Sequence, residues 1–309
     1  MGDATHRSES IDGILLLDKP AGMTSNQALQ KVKRLLGAKK AGHTGSLDPG
    51  ATGMLPLCFG EATKVCAYLL EADKTYRVTA KLGGATDTGD ADGKVTDTAP
   101  VPELDRRQWQ AILDGFLGES LQVPPMYSAL KRDGKRLYEL ARKGEQVERE
   151  PRPIRIDEID LLEAVPNRLV FRVRCSKGTY VRSLVEDIAR KAGTLAYTQR
   201  LHRESVSGFE EAPLENLASL EEKVAVDRPA MIGTLLPADR ALVHLPSVRV
   251  GHAEAERFRG GIAVAADTGG EATSGLARVY ERGGEEEFLG VGELMGAGLV
   301  TPRRVFARR

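Results

Sequence analysis

Residues 41 to 64 read AGHTGSLDPGATGMLPLCFGEATK, and the interpretation of the whole chain starts from this stretch. It contains one histidine and one aspartate, His43 and Asp48, among Gly, Ser, Thr and Pro. Gly and Pro permit backbone paths that other residues adopt only at a cost, so the composition predicts an irregular loop. A lone Asp in such a loop is commonly a turn-former that bonds its own backbone. A carboxylate can instead be a covalent nucleophile when a cation and restricted solvent keep it ionised, so both interpretations of Asp48 are open.

The composition is that of an ordered globular protein. The 309 residues are 41% hydrophobic and 28% charged, and this length suffices for two modest domains. The apolar run at 14–17 is too short to span a bilayer, and residues 1–10 lack the order of a signal peptide, so we expect a cytoplasmic protein with a disordered N-terminus. Cys58, Cys66 and Cys175 are odd in number and form no C-x-x-C pair, which favours buried thiols over disulfides or metal ligands.

Charge is unevenly distributed along the chain. The net charge is zero, which by itself argues against a nucleic-acid-binding protein. However, five basic residues with no acid between them lie just before the opening stretch, namely Lys31, Lys33, Arg34, Lys39 and Lys40. Acids gather elsewhere, for example at 210–222 and 285–287. This segregation predicts a basic surface for a polyanion, although one such cluster could equally be a solvated helix face.

Hydrophobic periodicity predicts an α+β fold. Residues 13–20 are typical of a buried strand, and 25–37 of a helix that is capped by Ser25 or Asn26 and ended by Gly37. Further predicted elements are a strand at 75–83, a helix at 105–118 closed by Gly118, a short helix near 136–144, and two strands and a helix within 155–193. Beyond a break at 235–246, short strand-like pieces predict a small β-rich domain.

Three other kinds of site fail when their spacing is checked. Residues 86–93 are similar to a calcium loop, but Thr88 and Ala99 stand where the pattern needs acids. The spacing of a nucleotide-phosphate loop does not occur, and the histidines form no ligand set with Cys or carboxylates. We therefore expect no metal and no cofactor.

A longer series of motifs carries a family resemblance. They are LLLDKPAGMTS (15–25), GHTGSLDPGATGMLPLCFGEATK (42–64), KTYRV (74–78), GATDTGDADG (84–93), PPMYSALKRDGKRLYELARKGEQVER (124–149), CSKGTYVRSLVEDI (175–188) and PRRVF (302–306). In these motifs the chain resembles the bacterial tRNA pseudouridine synthase B family, which isomerises the uridine at position 55 in the TΨC loop of tRNA. The resemblance implies a pseudouridine synthase fold with a mixed, largely antiparallel central sheet over 11–245, an RNA-contacting insertion at 124–154, and a PUA-like RNA-binding domain at 246–309.

The resemblance also implies the catalytic residues. Asp48 would be the nucleophile directed at C1′ of the target ribose. Tyr76 would stack on the uracil and is a candidate base for a ribose proton, although a tyrosine at such a position is more often a cross-strand aromatic. Arg182 would be the cation that orients Asp48 through a two-pronged pair, and we expect it to face the same side of a strand as Tyr180.

Other residues are implied as contacts to the RNA. His43 would enter the RNA loop, Tyr180 would line the uracil pocket, and Leu201 would contact the base through its backbone. The alternatives are a satisfied loop histidine for His43 and a core aromatic for Tyr180. The residues expected to contact the RNA backbone are Lys19, Lys31, Lys33, Arg34 and Lys64.

The implied reaction is an isomerisation that needs no cofactor, because uracil is neither oxidised nor reduced. The expected partner is the T-arm stem-loop of tRNA, bound by a monomer with no membrane attachment. A non-catalytic RNA-binding protein is the main competing hypothesis, and intact Asp48, Tyr76 and Arg182 argue against it. An aspartyl phosphotransferase is a third, and the absence of a metal-binding acid cluster in the sequence near Asp48 argues against it.

Overall fold

The computed structural model describes residues 11–128, 130–132, 134–141, 143–269, 274–283, 286–296 and 298–307. The predicted disorder of residues 1–10 therefore lies outside the described residues. The strands are β1 (Gly13–Lys19), β2 (Ala41–His43), β3 (Thr52–Phe59), β4 (Lys74–Leu82), β5 (Gly84–Thr86), β6 (Val95–Thr98), β7 (Gly118–Gln122), β8 (Lys131–Arg132), β9 (Lys135–Arg136), β10 (Arg152–Val165), β11 (Arg168–Cys175), β12 (Ala196–Val206), β13 (Ser247–Val250), β14 (Val264–Ala265), β15 (Ser274–Glu281), β16 (Glu287–Met295) and β17 (Leu299–Val305). The helices are α1 (Ser25–Leu36), α2 (Cys66–Glu71), α3 (Arg106–Asp114), α4 (Leu137–Ala141), α5 (Val181–Lys191), α6 (Leu217–Gly233) and α7 (His252–Arg259), with 3₁₀ turns at Gly60–Val65 and Ala238–Leu242.

A large mixed sheet forms the first part of the molecule. Its strands lie in the order β1-β3-β12-β4-β11-β10-β7, with β2 paired to β3. The β3–β12 pair is parallel, whereas the other neighbours are antiparallel. This confirms the predicted α+β class and the largely antiparallel sheet.

Strand β1 is apolar on both faces because both faces are covered. Leu15 and Leu17 pack against α1 and α6, whereas Ile14 and Leu16 pack in a cluster that includes Val291 of β16 and Phe306, which follows β17. Side chains alternate across a strand, so one continuous apolar run can serve two cores. Strand β1 thus joins the sheet that carries the loop around Asp48 to the C-terminal part of the protein.

The N-cap of helix α1 is Thr24, one residue before the first of the two predicted caps. Thr24 accepts from the backbone N–H of Gln27, and the Gln27 side chain accepts in return from the backbone N–H of Thr24. The predicted cap Ser25 is used differently: its hydroxyl donates to the carbonyl of Leu47 at 3.1 Å and accepts from its N–H at 2.8 Å. Gly37 ends the helix in the left-handed conformation, as predicted. The first turn of α1 therefore holds the segment next to Asp48.

Two helical predictions need correction. Helix α3 ends at Asp114 with Gly115 as its cap, and Gly118 instead begins β7. Helix α6 was not predicted because Pro229 and the non-helical backbone of Asp227 interrupt its pattern, so two short helices follow one another. Among the described residues, no helix is both long and apolar enough to cross a membrane.

The second sheet confirms the predicted β-rich C-terminal region. Its strand order is β13-β15-β16-β17-β14, and α7 packs on it around Phe258 and Val300. Lys64 links this sheet to the first part of the chain, because its ammonium pairs with Glu61 and donates to the carbonyl of Val305 at 2.7 Å. The Lys64 ammonium also lies 5.4 Å from the ring centroid of Phe306.

Gly53 permits the close approach of β3 and β12. Its φ is +100°, and a Cβ there would lie 2.2 Å from the carbonyl oxygen of Arg203 and 2.8 Å from its nitrogen. Both contacts are to backbone that cannot rotate away. Gly22 has a φ of +86° with nothing within 4 Å of the same position.

We therefore expect Gly53→Ala to lower the free energy of unfolding by about 1–3 kcal/mol more than Gly22→Ala does. Both substitutions carry the strain of a positive φ, and only Gly53→Ala adds the collision. Denaturant titration of the two variants measures the difference. Equal losses would show that β3 and β12 do not approach this closely.

Candidate active site

Asp48 lies in the loop between β2 and β3, and the turn before α1 fixes that loop. The N–H of Gly22 donates to the carbonyl of Pro49 at 2.9 Å, and the N–H of Ala51 donates to the carbonyl of Asp48 at 3.1 Å. Leu47 is buried in the core of the sheet. The backbone on either side of Asp48 is thus anchored, while its side chain remains 44% exposed.

Arg182 is the cation that faces Asp48. Its Nε lies 3.1 Å from Oδ2 of Asp48, and its side chain is only 7% exposed. Nη1 donates to the carbonyl of Thr88 at 3.0 Å and Nη2 donates to the carbonyl of Tyr127 at 2.7 Å. The contact to Asp48 is through Nε, while both terminal nitrogens donate to backbone carbonyls, so the predicted two-pronged pair is not present among the described residues.

Arg182 also does not lie on a strand, as the alternating pattern had suggested. Tyr180 is the N-cap residue of α5, and Arg182 lies in the first turn of that helix. The side-chain amide of Gln122 accepts from the backbone N–H of Tyr180 at 2.8 Å and donates to its carbonyl at 3.1 Å. A residue on β7 therefore starts the helix that delivers Arg182.

Asp90 is a site residue that the sequence analysis did not single out. Its Oδ2 lies 3.5 Å from Nη1 of Arg182, and the Thr88 hydroxyl donates to Oδ1 at 2.6 Å. The sequence feature that could have identified it is the acid-rich turn at 86–93, whose spacing does not fit a calcium loop. Burial raises the pKa of Asp48, the charge of Arg182 opposes this, and Asp90 and Asp92 raise it further.

Two tyrosines stand near the carboxylate. Tyr76 is buried on β4, and its pKa is raised by burial and by the charge of Asp48, against the charge of Arg203. Tyr180 is half-buried, and burial raises its pKa, with the charges of Arg182 and Asp48 among the further causes. Both phenols therefore stay protonated at neutral pH. The structure brings Asp48, Tyr76, Tyr180 and Arg182 together, as expected for one site.

The remaining predicted RNA contacts lie around this group. His43 ends β2, its Nδ1 is buried without a hydrogen-bond partner among the described residues, and burial followed by the charge of Arg203 lowers its pKa. Leu201 lies on β12 opposite Val78, partly buried against the core that contains Tyr76. Their roles toward RNA stay predictions.

Lys19 contradicts its predicted role. The side chain is 0% exposed, and its ammonium donates to the carbonyls of Pro20 at 2.8 Å, Met23 at 2.7 Å and Pro49 at 3.3 Å. It therefore cannot reach an RNA phosphate, and it instead joins the turn before α1 to the Asp48 loop. Burial lowers the pKa of Lys19 to about 8, although Asp48 opposes the shift.

The other predicted basic residues lie nearer the surface. Lys31 pairs with Glu221 at 2.7 Å, Lys33 is half-buried, and Arg34 is exposed. Lys64 is partly exposed and engaged with Glu61 as described above. Their contacts with RNA stay predictions. Sequence reasoning missed two further buried cations close to the site, Lys74 and Arg203.

A cleft of about 750 Å³ lies between the 124–149 segment and α5. Its lining includes Thr88 and Tyr127, whose carbonyls hold Arg182, together with Arg149 and Glu186. Neither Asp48 nor Tyr76 lines it. The cleft is therefore next to the residues that hold Arg182 and does not include Asp48.

Comparisons with known proteins identify the family. Residues 33–181 match the family described as TruB family pseudouridylate synthase (N terminal domain), and residues 246–306 match that described as Pseudouridine synthase II TruB, C-terminal. The chain is 49% identical over 299 residues to tRNA pseudouridine synthase B of Chromohalobacter salexigens, covering 97% of this chain and 95% of that protein. It is 50% identical over 297 residues to tRNA pseudouridine synthase B of Dechloromonas aromatica, covering 96% of each.

Solved structures support the fold. An H/ACA RNP bound to a substrate RNA containing 2′-deoxyuridine has a chain with a TM-score of 0.74 and 24% identity, covering 97% of this chain and 86% of that one. A Cbf5-Nop10-Gar1 complex gives a TM-score of 0.73 with 25% identity, covering 97% and 85%. From its family matches and its full-length relatives, this chain belongs to the TruB family of pseudouridine synthases.

Proposed function

We propose that this protein isomerises uridine to pseudouridine at position 55 in the TΨC loop of tRNA. The observation that carries the proposal is the Asp48 carboxylate, partly exposed, fixed by a buried Arg182 and accompanied by Tyr76 and Tyr180. Relatives that share about half of its residues over nearly the full chain are named for this activity on tRNA. An isolated RNA-binding surface would not require a carboxylate held in this way.

The proposed chemistry exchanges one bond to the ribose for another. Asp48 acts as the nucleophile and bonds to C1′ as the N1–C1′ bond breaks. The released uracil turns, and C5 then bonds to C1′ as the Asp48–C1′ bond breaks and frees the carboxylate. C5 loses its proton and N1, which carries none in uridine, gains one, so no electrons enter or leave. Tyr76 stacks on the ring and is a candidate for proton transfer, although the raised pKa of its phenol means that the neutral form is the starting state.

The target uridine must leave its stack to reach Asp48, which costs a few kcal/mol. We propose that His43, the basic helix with Lys31, Lys33 and Arg34, and the 124–154 segment offset this cost. The C-terminal residues 246–309 would add RNA contacts as a PUA-like domain to the catalytic domain at 11–245. The protein would act on the T-arm as a monomer and without a cofactor.

We expect Asp48→Asn to lower the single-turnover rate by more than about 1000-fold while tRNA affinity changes little. The amide keeps the size of the turn residue and removes its nucleophilic charge. The measurement is pseudouridine formation in an unmodified tRNA transcript, with chelator present and the tRNA folded in monovalent salt, alongside filter binding. Arg182→Lys should be intermediate, because an ammonium donates from a single nitrogen and cannot span the separate positions from which the three guanidinium nitrogens reach Thr88, Tyr127 and Asp48.

The matched control is Asp92→Asn, which neutralises an exposed acid beside the same loop without touching Arg182. One Asp92 oxygen lies 3.3 Å from the position that a Cβ on Gly50 would take. Asp92→Asn should retain activity. Substantial product from Asp48→Asn, or a parallel loss of binding, would return Asp48 to a turn-forming role.

The raised pKa of Asp48 predicts an acid limit to activity. The nucleophile is the anion, so kcat/KM should fall as pH decreases through this raised pKa. Asp92 contributes to raising it, so Asp92→Asn should move the acid limb to lower pH. Rate measurements across pH 4 to 8, a range set about the usual carboxyl pKa, check both statements. If the acid limb of the kcat/KM profile does not move in Asp92→Asn, the limb reflects the titration of a group other than Asp48.

Charge reversal at Lys31, Lys33 and Arg34 should weaken tRNA binding and flatten its salt dependence. Each lost phosphate contact reduces the slope of log K against log salt by about 0.9 on a duplex-like nucleic acid. Filter binding over a salt series measures the slope. The control is reversal of Arg168, which pairs with Glu163 on the sheet. If the α1 variants and the Arg168 control have the same salt slope as the unsubstituted protein, the basic face of α1 is only solvated and does not bind RNA.

A further inference from the structure

Arg203 is a buried guanidinium that the reaction described above does not use. It lies on β12, where it stands opposite Gly53 of β3 on one side and Tyr76 of β4 on the other. Arg203 is only 1% exposed, and its side chain is among the largest that are fully buried in the described residues. Burial of a charged side chain is costly and is ordinarily accompanied by a partner of opposite charge.

No such partner accompanies Arg203 in the described part of the chain. Its Nε donates to the carbonyl of Met54 at 2.7 Å, while Nη2 is buried without a hydrogen bond. Basic side chains surround it, because its charge helps to lower the pKa values of Lys19, His43 and Lys74. Burial is the first cause in each case. A cation kept in these surroundings needs a reason other than stability.

The location of Arg203 suggests a reason for keeping this buried cation. Nη1 lies 3.1 Å from the position that a Cβ on Gly45 would take, and Gly45 has a φ of +63° in the loop that leads to Asp48. Arg203 is also the direct cross-strand neighbour of Tyr76 between β12 and β4, and its charge lowers the pKa of the Tyr76 phenol against the larger effect of burial. A guanidinium has only donors, so in a contact between the two the phenol oxygen would accept and its proton would remain free to point elsewhere.

We propose that Arg203 is a positioning residue, whose buried guanidinium fixes the Tyr76 hydroxyl and the Gly45 end of the Asp48 loop relative to each other. This proposal rests on the proposed function, because it assigns Arg203 a purpose in placing Tyr76 and Asp48 on either side of the target nucleoside. Arg203 does not contact the substrate, since it is closed off from solvent. It acts through Tyr76 and the loop.

A purely structural role predicts a different outcome for Arg203→Met. Replacing an unpaired buried cation by an apolar side chain of similar length is often neutral or stabilising. If Arg203 only filled the space between β3 and β12, the Met variant would keep both its fold and its turnover. If Arg203 positions Tyr76, the Met variant keeps or gains stability and loses rate.

The test compares Arg203→Met, Arg203→Lys and Tyr76→Phe with the double variant Arg203→Met/Tyr76→Phe. We expect Arg203→Met to lower the single-turnover rate by about 100-fold, the size of effect that a displacement of about 1 Å produces, with tRNA affinity within about twofold of the starting protein. Arg203→Lys should recover part of the rate. The rate loss in the double variant should be well below the product of the two single losses, because both changes remove the Arg203–Tyr76 contact and only the change at Arg203 also releases the Gly45 end of the loop.

The control is Arg172→Met, which removes an arginine that is 43% exposed and pairs with Glu204. It should leave the rate unchanged. A normal rate in Arg203→Met, or rate losses that multiply in the double variant, would overturn the positioning role. If Arg203→Met does not fold, the same cycle is run with Arg203→Lys.

A second cycle separates this proposal from the proposed function. Unfolding midpoints of the same four proteins should be non-additive if Arg203 and Tyr76 interact, whether or not the protein acts on tRNA. If the unfolding midpoints are non-additive but the unsubstituted protein forms no pseudouridine, the proposed function is refuted and the Arg203–Tyr76 contact is retained. Additive midpoints together with normal turnover in the unsubstituted protein would refute the Arg203 contact alone.

Discussion

The ion pair between Arg182 and Asp48 is the contact on which the site depends. The guanidinium reaches Asp48 through Nε because its other nitrogens are bound by the carbonyls of Thr88 and Tyr127. Three segments far apart in sequence therefore converge on one side chain at the start of α5. The cation that faces Asp48 is therefore held in place by backbone groups outside the Asp48 loop.

The sheet supplies the other constraint by holding the Asp48 loop from beneath. Ser25 bonds both backbone groups of Leu47, and Lys19 reaches the carbonyl of Pro49. Gly53 lets β3 lie against β12, which brings Arg203 under Gly45. A loop rich in Gly is intrinsically mobile, and these contacts offset the entropy that its ordering costs. The glycines therefore allow the path of the loop, while its neighbours determine its position.

The sequence predicted the local elements well and the long-range contacts poorly. The apolar run of β1, the period of α1 and the alternation of β4 are properties of short segments, and each was confirmed. The interval between Tyr180 and Arg182 fits a strand equally well, and the side chain of Gln122, distant in sequence, decides for a helix. Lys19 likewise has the character of a surface residue until carbonyls from two turns enclose it. Family resemblance named Asp48, Tyr76 and Arg182. Asp90 was visible in the sequence only as part of an acid-rich turn, and its contact with Arg182, like the burial of Arg203, depends on the assembled fold.

Buried cations and neighbouring acids lie around Asp48, and they determine how its ion pair with Arg182 would respond to a bound nucleoside. Buried cations, Lys19 and Arg203, lie below the loop, whereas Asp90 and Asp92 lie beside Asp48 and raise its pKa. With 44% of its side chain exposed, Asp48 shares its charge with water in the free protein, which weakens the attraction of Arg182. A nucleoside inserted over the loop would displace that water, so the same 3.1 Å contact would act through a lower dielectric. Loss of water would raise the free energy of the Asp48 anion, and it would also strengthen the attraction between Asp48 and Arg182. The stronger ion pair can offset the cost of desolvation only because Arg182 is already held in position.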